Sequence, residues 1–241
     1  MAAGGRVLRF LRGAWKGFCY ALGALVLAAL VVQFWFYAHV LWWRAYQPAS
    51  TAFMDARIER LREKDPNARL AHQWVPYERI SMQLKRAVVA SEDAKFVDHE
   101  GFDWQAISKA IEKNEKRGRV VSGASTISQQ LAKNLFLSGE RSWLRKGQEA
   151  AITWMLENTL GKRRILELYL NFAEWGEGVF GAEAAARHHF GISAAGLSAS
   201  QSAFLAAILP SPRRYAPGRA TAYVSGRVDT ILARMPAAQI P

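Results

Sequence analysis

Two patterns of apolar and polar positions divide the chain. From Phe18 to Trp43 there is no Asp, Glu, Lys or Arg, whereas beyond Ile80 apolar residues recur at spacings of three and four. A helix rises about 1.5 Å per residue, so the 26 residues of the first pattern exceed a hydrocarbon thickness of roughly 30 Å and predict one transmembrane helix. Aromatic residues mark its ends: Trp15 and Tyr20 on one side, Trp35, Phe36, Tyr37, Trp42 and Trp43 on the other. A cleaved signal peptide, with an apolar core of only about 7 to 15 residues, and a buried core helix are the competing readings, and the length favours the span. Arg6, Arg9, Arg12 and Lys16 precede it with no acid among them. Positive charge stays inside, so the N-terminus is expected in the cytoplasm and everything after about Arg44 outside. His39 reads as an interfacial residue and Cys19 as inert packing.

Residues 44–79 read as an irregular connector, where Pro48, Pro66 and Pro76 interrupt a short polar helical stretch near Met54 to Lys64. Beyond it, Ile80, Leu84, Ala87, Val88 and Ser91 predict a helix that buries one stripe and ends near Phe96, with Glu92 and Asp93 at its exposed end. Further helices are predicted at Trp104 to Lys116, Ser125 to Leu137, Ser142 to Leu160, Arg163 to Asn171, Gly181 to His189, Ser198 to Leu209 and Ala222 to Met235. Glycine or proline joints, among them Gly101, Gly118, Gly139, Gly161 and Pro210, separate them, and long alternating strand patterns are absent. The expected organisation is a basic N-terminus (1–17), a transmembrane helix (18–43), a connector (44–79) and a mainly α domain (80–241).

The length, 241 residues, suits one anchor and one compact domain. A net charge of +12 attracts polyanions: nucleic acid, anionic headgroups or a phosphorylated substrate. A domain outside the membrane speaks against nucleic acid. Cys19 is the only cysteine, which excludes a disulfide framework and a Cys-based metal cage.

Four segments can carry chemistry. Ser91 to Asp103 packs Glu92, Asp93, Asp98, Glu100, Asp103 and His99 into a helix end and turn. Neighbouring carboxylates and burial against Phe96 and Phe102 raise an acid's pKa, which suits general acid or base work, although a solvated acidic helix end has the same composition. Ser122 to Asn134 supplies small residues, hydroxyls and amides (Ser125, Thr126, Gln129, Gln130, Asn134) and the cation Lys133. A Gly/Ser/Thr loop entering a helix can bind anionic oxygens or merely cap the helix, and the spacing is not that of a Walker loop. Arg141 to Glu149 mixes Arg141, Arg145 and Lys146 with Glu149, an ordinary helix start unless a diphosphate lies beside it. Lys162 to Asn171 reads chiefly as scaffold.

In this order the four segments resemble the signature of the family 51 glycosyltransferases, the peptidoglycan polymerases found at the front of bifunctional penicillin-binding proteins and as stand-alone enzymes. The resemblance runs from about Ile80 to Pro212. The pattern Glu-Asp-x-x-Phe-x-x-His-x-Gly-x-Asp is matched at Glu92, Asp93, Phe96, His99, Gly101 and Asp103. The pattern Gly-Gly-Ser-Thr-Ile-Thr-Gln-Gln-Leu-x-Lys-Asn is matched from Gly123 to Asn134, with Ala124 for Gly and Ser128 for Thr. With no penicillin-binding domain before Pro241, a monofunctional member is expected. The resemblance implies a lysozyme-like helical fold in which Glu92 takes a proton from the 4-hydroxyl of an acceptor sugar. That oxygen then displaces undecaprenyl diphosphate from lipid II with inversion, forming a β-1,4 bond. It also implies Glu149 as the second catalytic carboxylate, orienting basic side chains or a divalent ion. Substrate contacts are expected from Asp93, Phe96, His99, Ser125, Thr126, Gln129, Gln130, Lys133, Asn134, Arg141, Arg145 and Lys146. No protein-held metal and no tightly bound cofactor are expected, apart from Mg2+ or Mn2+ accompanying the diphosphate. The implied partners are lipid II, the growing glycan, membrane lipids and cell-wall synthesis or division proteins, and the implied place is an inner membrane with the domain in the periplasm. A muramidase or lytic transglycosylase and a non-enzymatic binder of lipid-linked precursor are the alternative readings.

Overall fold

The computed structural model describes residues 2–119, 123–137, 142–215 and 221–241, with side chains from residue 10 onward. The expected joint at Gly139 and the expected contact Arg141 lie outside the described residues. The chain is mainly α, as the periodicity predicts. Its first helix, α1 (Ala2–Trp43), begins well before Phe18, where the basic segment contains glycines but no proline to interrupt it. Residues Phe10–Trp43 form a stretch long and apolar enough to cross a membrane. The C-terminal end of α1 docks on the domain, where Phe36, Val40 and Trp43 join the core. The rings of Phe36 and Trp43 pack on Phe136 at 5.1 and 4.8 Å.

The segment 44–79 is more ordered than an irregular connector. Thr51 caps α2 (Ala52–Arg62), whose buried Arg57 pairs with Glu174 at 2.7 Å. Met54, Val75 and Tyr77 belong to the core. Ala71–His72 forms strand β1, which pairs in parallel with β3 (Val179–Phe180); β3 in turn pairs antiparallel with β2 (Glu174–Gly176). Strands of two and three residues are too short to show alternation, so this small sheet is invisible in the sequence pattern.

The remaining helices are α3 (Met82–Glu92), α4 (Trp104–Arg117), α5 (Ile127–Phe136), α6 (Trp143–Thr159), α7 (Lys162–Phe172), α8 (Ala182–Phe190), α9 (Ala199–Ile208) and α10 (Ala222–Arg234). Most begin at a residue able to satisfy free N–H groups: Ser81, Asp103, Thr126, Ser142, Ser198 and Thr221 each accept from the first turn. α3 packs on α9 and α10, and α5 packs on α6 and α7. Ile80, Leu84, Phe96, Ile127, Leu131, Ile152, Tyr169 and Phe172 fill the space between them. Each such side chain contributes about 1.5–3 kcal/mol relative to exposure. This packing brings the end of α3 beside the start of α5.

Candidate active site

The sequence predicts that the helix from Ile80 continues to near Phe96, but α3 stops at Glu92. The cause is Asp93. It leaves the helical conformation, and its two carboxylate oxygens accept from His99 Nε2 at 2.8 Å and from the Ile127 backbone N–H at 3.0 Å. An anion at the first turn of α5 is favoured both by the free N–H group and by the helix dipole. His99 Nδ1 accepts the Gly101 N–H at 3.1 Å, which leaves Nε2–H to donate to Asp93. Gly101 turns the chain with φ +89°, and a Cβ there would lie 2.8 Å from Thr153 Cγ2. The Thr126 hydroxyl donates to the Gly101 carbonyl at 2.7 Å, while Thr126 and Gln129 form a reciprocal capping box. The loop from Asp93 to Asp103 is thereby fastened to α5.

Glu92 sits at the junction. Its Oε2 accepts from Gln130 Nε2 at 3.0 Å, and Ser91 Oγ lies 3.4 Å from Oε1. The Tyr169 hydroxyl donates to Gln130 Oε1 at 2.9 Å, which orients the amide so that its NH2 faces the carboxylate. Burial pushes the Glu92 pKa above the ordinary value; Gln130, Arg227 and Ser91 pull it down, and Asp93 adds to the rise. Arg227 reaches in from α10, donating to Ser91 Oγ at 3.2 Å. Burial, then the charges of Glu92 and Asp93, raise Tyr169 well above its ordinary value, so its hydroxyl keeps its proton.

Two cavities flank the Glu92–Gln130 hydrogen bond. One of about 290 Å³ is lined by Glu92, Lys95, Asp103 and Ser125; the other, of about 540 Å³, by Gln130, Lys133, Asn134, Tyr169, Arg213 and Arg214. Burial lowers the Lys133 pKa, as do Arg145 and Lys146, while Glu149 and Glu92 raise it. Glu149 is buried, and its oxygens pair with Arg145 Nη1 at 2.8 Å and with Lys146 Nζ. Lys133, Arg145, Lys146, Glu149 and Glu92 therefore share one electrostatic neighbourhood.

The model of the transglycosylase family matches residues 58–236 of the chain. The chain belongs to the transglycosylase family. As a transglycosylase it is a glycosyltransferase, and the mainly α, lysozyme-like fold expected from the sequence is that of the family. Its relatives include biosynthetic peptidoglycan transglycosylases from Janthinobacterium sp. (strain Marseille), 57% identical over 90% of this chain and 94% of the relative, and from Nitrosospira multiformis, 54% identical over 96% and 99%. The enzyme of the same name from Dechloromonas aromatica is 58% identical over 88% and 92%.

Within this transglycosylase the residues expected to touch substrate fall into two groups. Ser125 is exposed in the smaller cavity, and Gln130, Lys133 and Asn134 line the larger one. Asp93, His99, Thr126 and Gln129 instead have their polar groups engaged within the protein, and Phe96 is fully buried with Lys162 Nζ 4.7 Å from its ring centre. These five hold the site together, and Asp93 and Thr126 also line the smaller cavity. Arg145 and Lys146 face Glu149. Apart from Tyr169, the segment from Lys162 to Asn171 is scaffold: Glu167 accepts the Tyr77 N–H at 2.8 Å, and the Asn171 amide bonds both N–H and C=O of Val75 at 2.9 and 3.0 Å.

Sequence reasoning missed Arg227, Arg213 and Arg214, and treated Tyr169 as scaffold. Arg227 lies far along the chain from Glu92 with no local pattern to mark it. The adjacent pair Arg213-Arg214 in a Ser-Pro-Arg-Arg turn is a signal that attention to charge could have found.

Proposed function

We propose that this transglycosylase polymerises lipid II into β-1,4-linked glycan, with inversion and release of undecaprenyl diphosphate. The observation that carries the reading is the position of Glu92, which lines one cleft and is bonded to Gln130, a residue lining a second cavity that bears cations. The acceptor sugar occupies the smaller cleft with its 4-hydroxyl toward Glu92, and the donor diphosphate occupies the larger cavity. Glu92 takes the hydroxyl proton as the new C1–O4 bond forms and the C1–O bond to phosphate breaks. The carboxylate later loses that proton to water. Burial makes Glu92 a stronger base than a free carboxylate, while Gln130 and Arg227 keep its ionised form accessible. Lys133 stabilises the charge that develops on the leaving diphosphate, and Arg145, Lys146 and Arg141 bind the diphosphate charge that is already present before the bond breaks.

Glu149 orients Arg145 and Lys146. Both its oxygens are engaged by those cations, and among the described residues no cluster of three His, Cys, Asp or Glu is placed to hold a metal. In this reading a Mg2+ or Mn2+ ion used by the reaction would accompany the substrate diphosphate. α1 crosses the inner membrane with its basic end in the cytoplasm, which puts the domain in the periplasm beside a lipid-borne substrate. In this reading the product serves cell-wall biogenesis and cell shape.

The test is polymerisation of purified lipid II in lipid nanodiscs. The wild-type chain yields long glycan strands, and Glu92→Gln loses about 10²–10⁴-fold in rate. A wild type that leaves lipid II unextended but shortens preformed glycan is a lytic enzyme, and the reading is then wrong.

A further inference from the structure

Between Phe18 and Trp43 the one side-chain amide is Gln33. It is not left unpaired. Gln33 Nε2 donates to Gln148 Oε1 at 2.7 Å, and Gln148 Nε2 donates back to Gln33 Oε1 at 3.1 Å. Gln33 lies about 15 Å along α1 from Trp43, counted at 1.5 Å per residue. An apolar groove of about 360 Å³ runs beside it, lined by Leu30, Phe34 and Tyr37 of α1 and by Trp154 and Met155 of α6. In such surroundings a primary amide without a partner is unfavourable, and a reciprocal pair satisfies both side chains at once.

The other end of this pair is next to Glu149. α6 carries Arg145, Lys146 and Glu149 within two turns, and these bond to one another rather than to the rest of the domain. Ser142 bonds within its own helix, and Trp143 and Leu144 are exposed. Counting from its start, Gln148 is the first α6 residue whose side chain hydrogen-bonds to another element, among the described residues. Further along, Glu157 accepts from Ser128 and Lys162. Consecutive helical residues project about 100° apart, so a bond at Gln148 adds to the buried Ile152 and Leu156 in setting the rotation of α6, and it acts at the turn that carries the Glu149 cluster.

We propose that the Gln33–Gln148 amide pair is a positioning device: it lets the membrane helix set the orientation of the α6 cations toward the substrate diphosphate. The proposal rests on the polymerase reading given above. Cations that meet the diphosphate in both ground and transition states act on KM more than on kcat, so a misaligned α6 is expected to appear in KM.

The experiment uses the full chain in lipid nanodiscs with lipid II as substrate. Gln33→Leu and Gln148→Leu are each expected to raise KM about threefold to tenfold, the range for interhelical amide bonds in membranes, with kcat nearly unchanged. The double variant is expected to be no worse than either single one, because both remove the same pair. Wild-type KM in all three variants, effects that multiply in the double variant, or a loss confined to kcat overturns the proposal. Rescue provides the second arm. Gln33→Cys with Gln148→Cys, in a Cys19→Ala background, is expected to regain a near wild-type KM when a short bifunctional thiol reagent joins the helices. A KM that stays raised after joining assigns the pair a merely structural role. A wild-type chain that makes no polymer defeats the polymerase reading itself and this proposal with it, an outcome separate from unaffected variants of an active enzyme.

Discussion

The two ends of the site are built differently. Around Glu92 nearly every polar group has a fixed partner on another element: Asp93 on α5 and His99, Gln130 on Tyr169, Thr126 on Gly101. Around Glu149 the charges are satisfied within one helix, and α6 is tied to its neighbours by side-chain hydrogen bonds only from Gln148 onward, among the described residues. On the proposed function, the physics of the two tasks accounts for the contrast. Proton transfer needs hydrogen-bond distance, and a small misplacement of the base removes it. Attraction between a cation and a diphosphate falls off only as the inverse of distance, so a small misplacement costs a clamp less than it costs a base.

The largest expected effect beyond Glu92 itself is on the clamp's central cation. Among the described residues Lys133 has no carboxylate within ion-pair distance, and it lines the larger cavity. Lys133→Ala is expected to lower kcat/KM by about 10²–10³-fold, the range for removing one preorganised charge donor, with an unchanged circular dichroism spectrum. Turnover within a few-fold of wild type would remove Lys133 from the clamp.

A smaller effect is expected on the wired side, and it concerns stability first. In Asp93→Asn the oxygen can accept from only one of the two donors, and the new NH2 faces the other. A buried donor left without an acceptor costs about 1–3 kcal/mol. The expected outcome is a thermal midpoint several degrees lower, together with reduced turnover because Glu92 is the adjacent residue. An unchanged midpoint would show that the loop does not depend on this carboxylate.

The contrast between the two ends also governs what could be read from the sequence. Helices α3 to α10 were legible because each is long enough for apolar periodicity and most carry a capping side chain at the start. Gln130, Lys133 and Asn134 were legible as a group because their spacing of three and four brings them to one side of α5, and Ser125 because it lies just before the cap of that helix. The engaged state of Asp93 and His99 was not, since their partners Ile127 and Gly101 are backbone groups that no residue type announces. The three short strands and the docking of Phe36 and Trp43 on Phe136 depend on tertiary packing alone.

Arg227 is the least legible residue of the site and gives the smallest expected effect. Its guanidinium reaches Glu92 through Ser91, and its charge lowers a pKa that burial has raised. The other charged groups facing that carboxylate are Asp93, which raises the value, and Lys133 across the α5 side, itself subject to the field of Glu92. Arg227→Met keeps most of the side-chain volume and removes the charge. The folded-state pKa of Glu92 then rises further, the base is protonated over a wider range, and the acidic limb of the rate profile moves to higher pH. At alkaline pH, where Glu92 is ionised in both proteins, the rates converge. The measurement is kcat/KM for polymerisation across the pH range, and the sign decides it. A limb moving to lower pH, or a uniform drop at every pH, would mean that Arg227 acts by packing α10 against α3 and not by its charge.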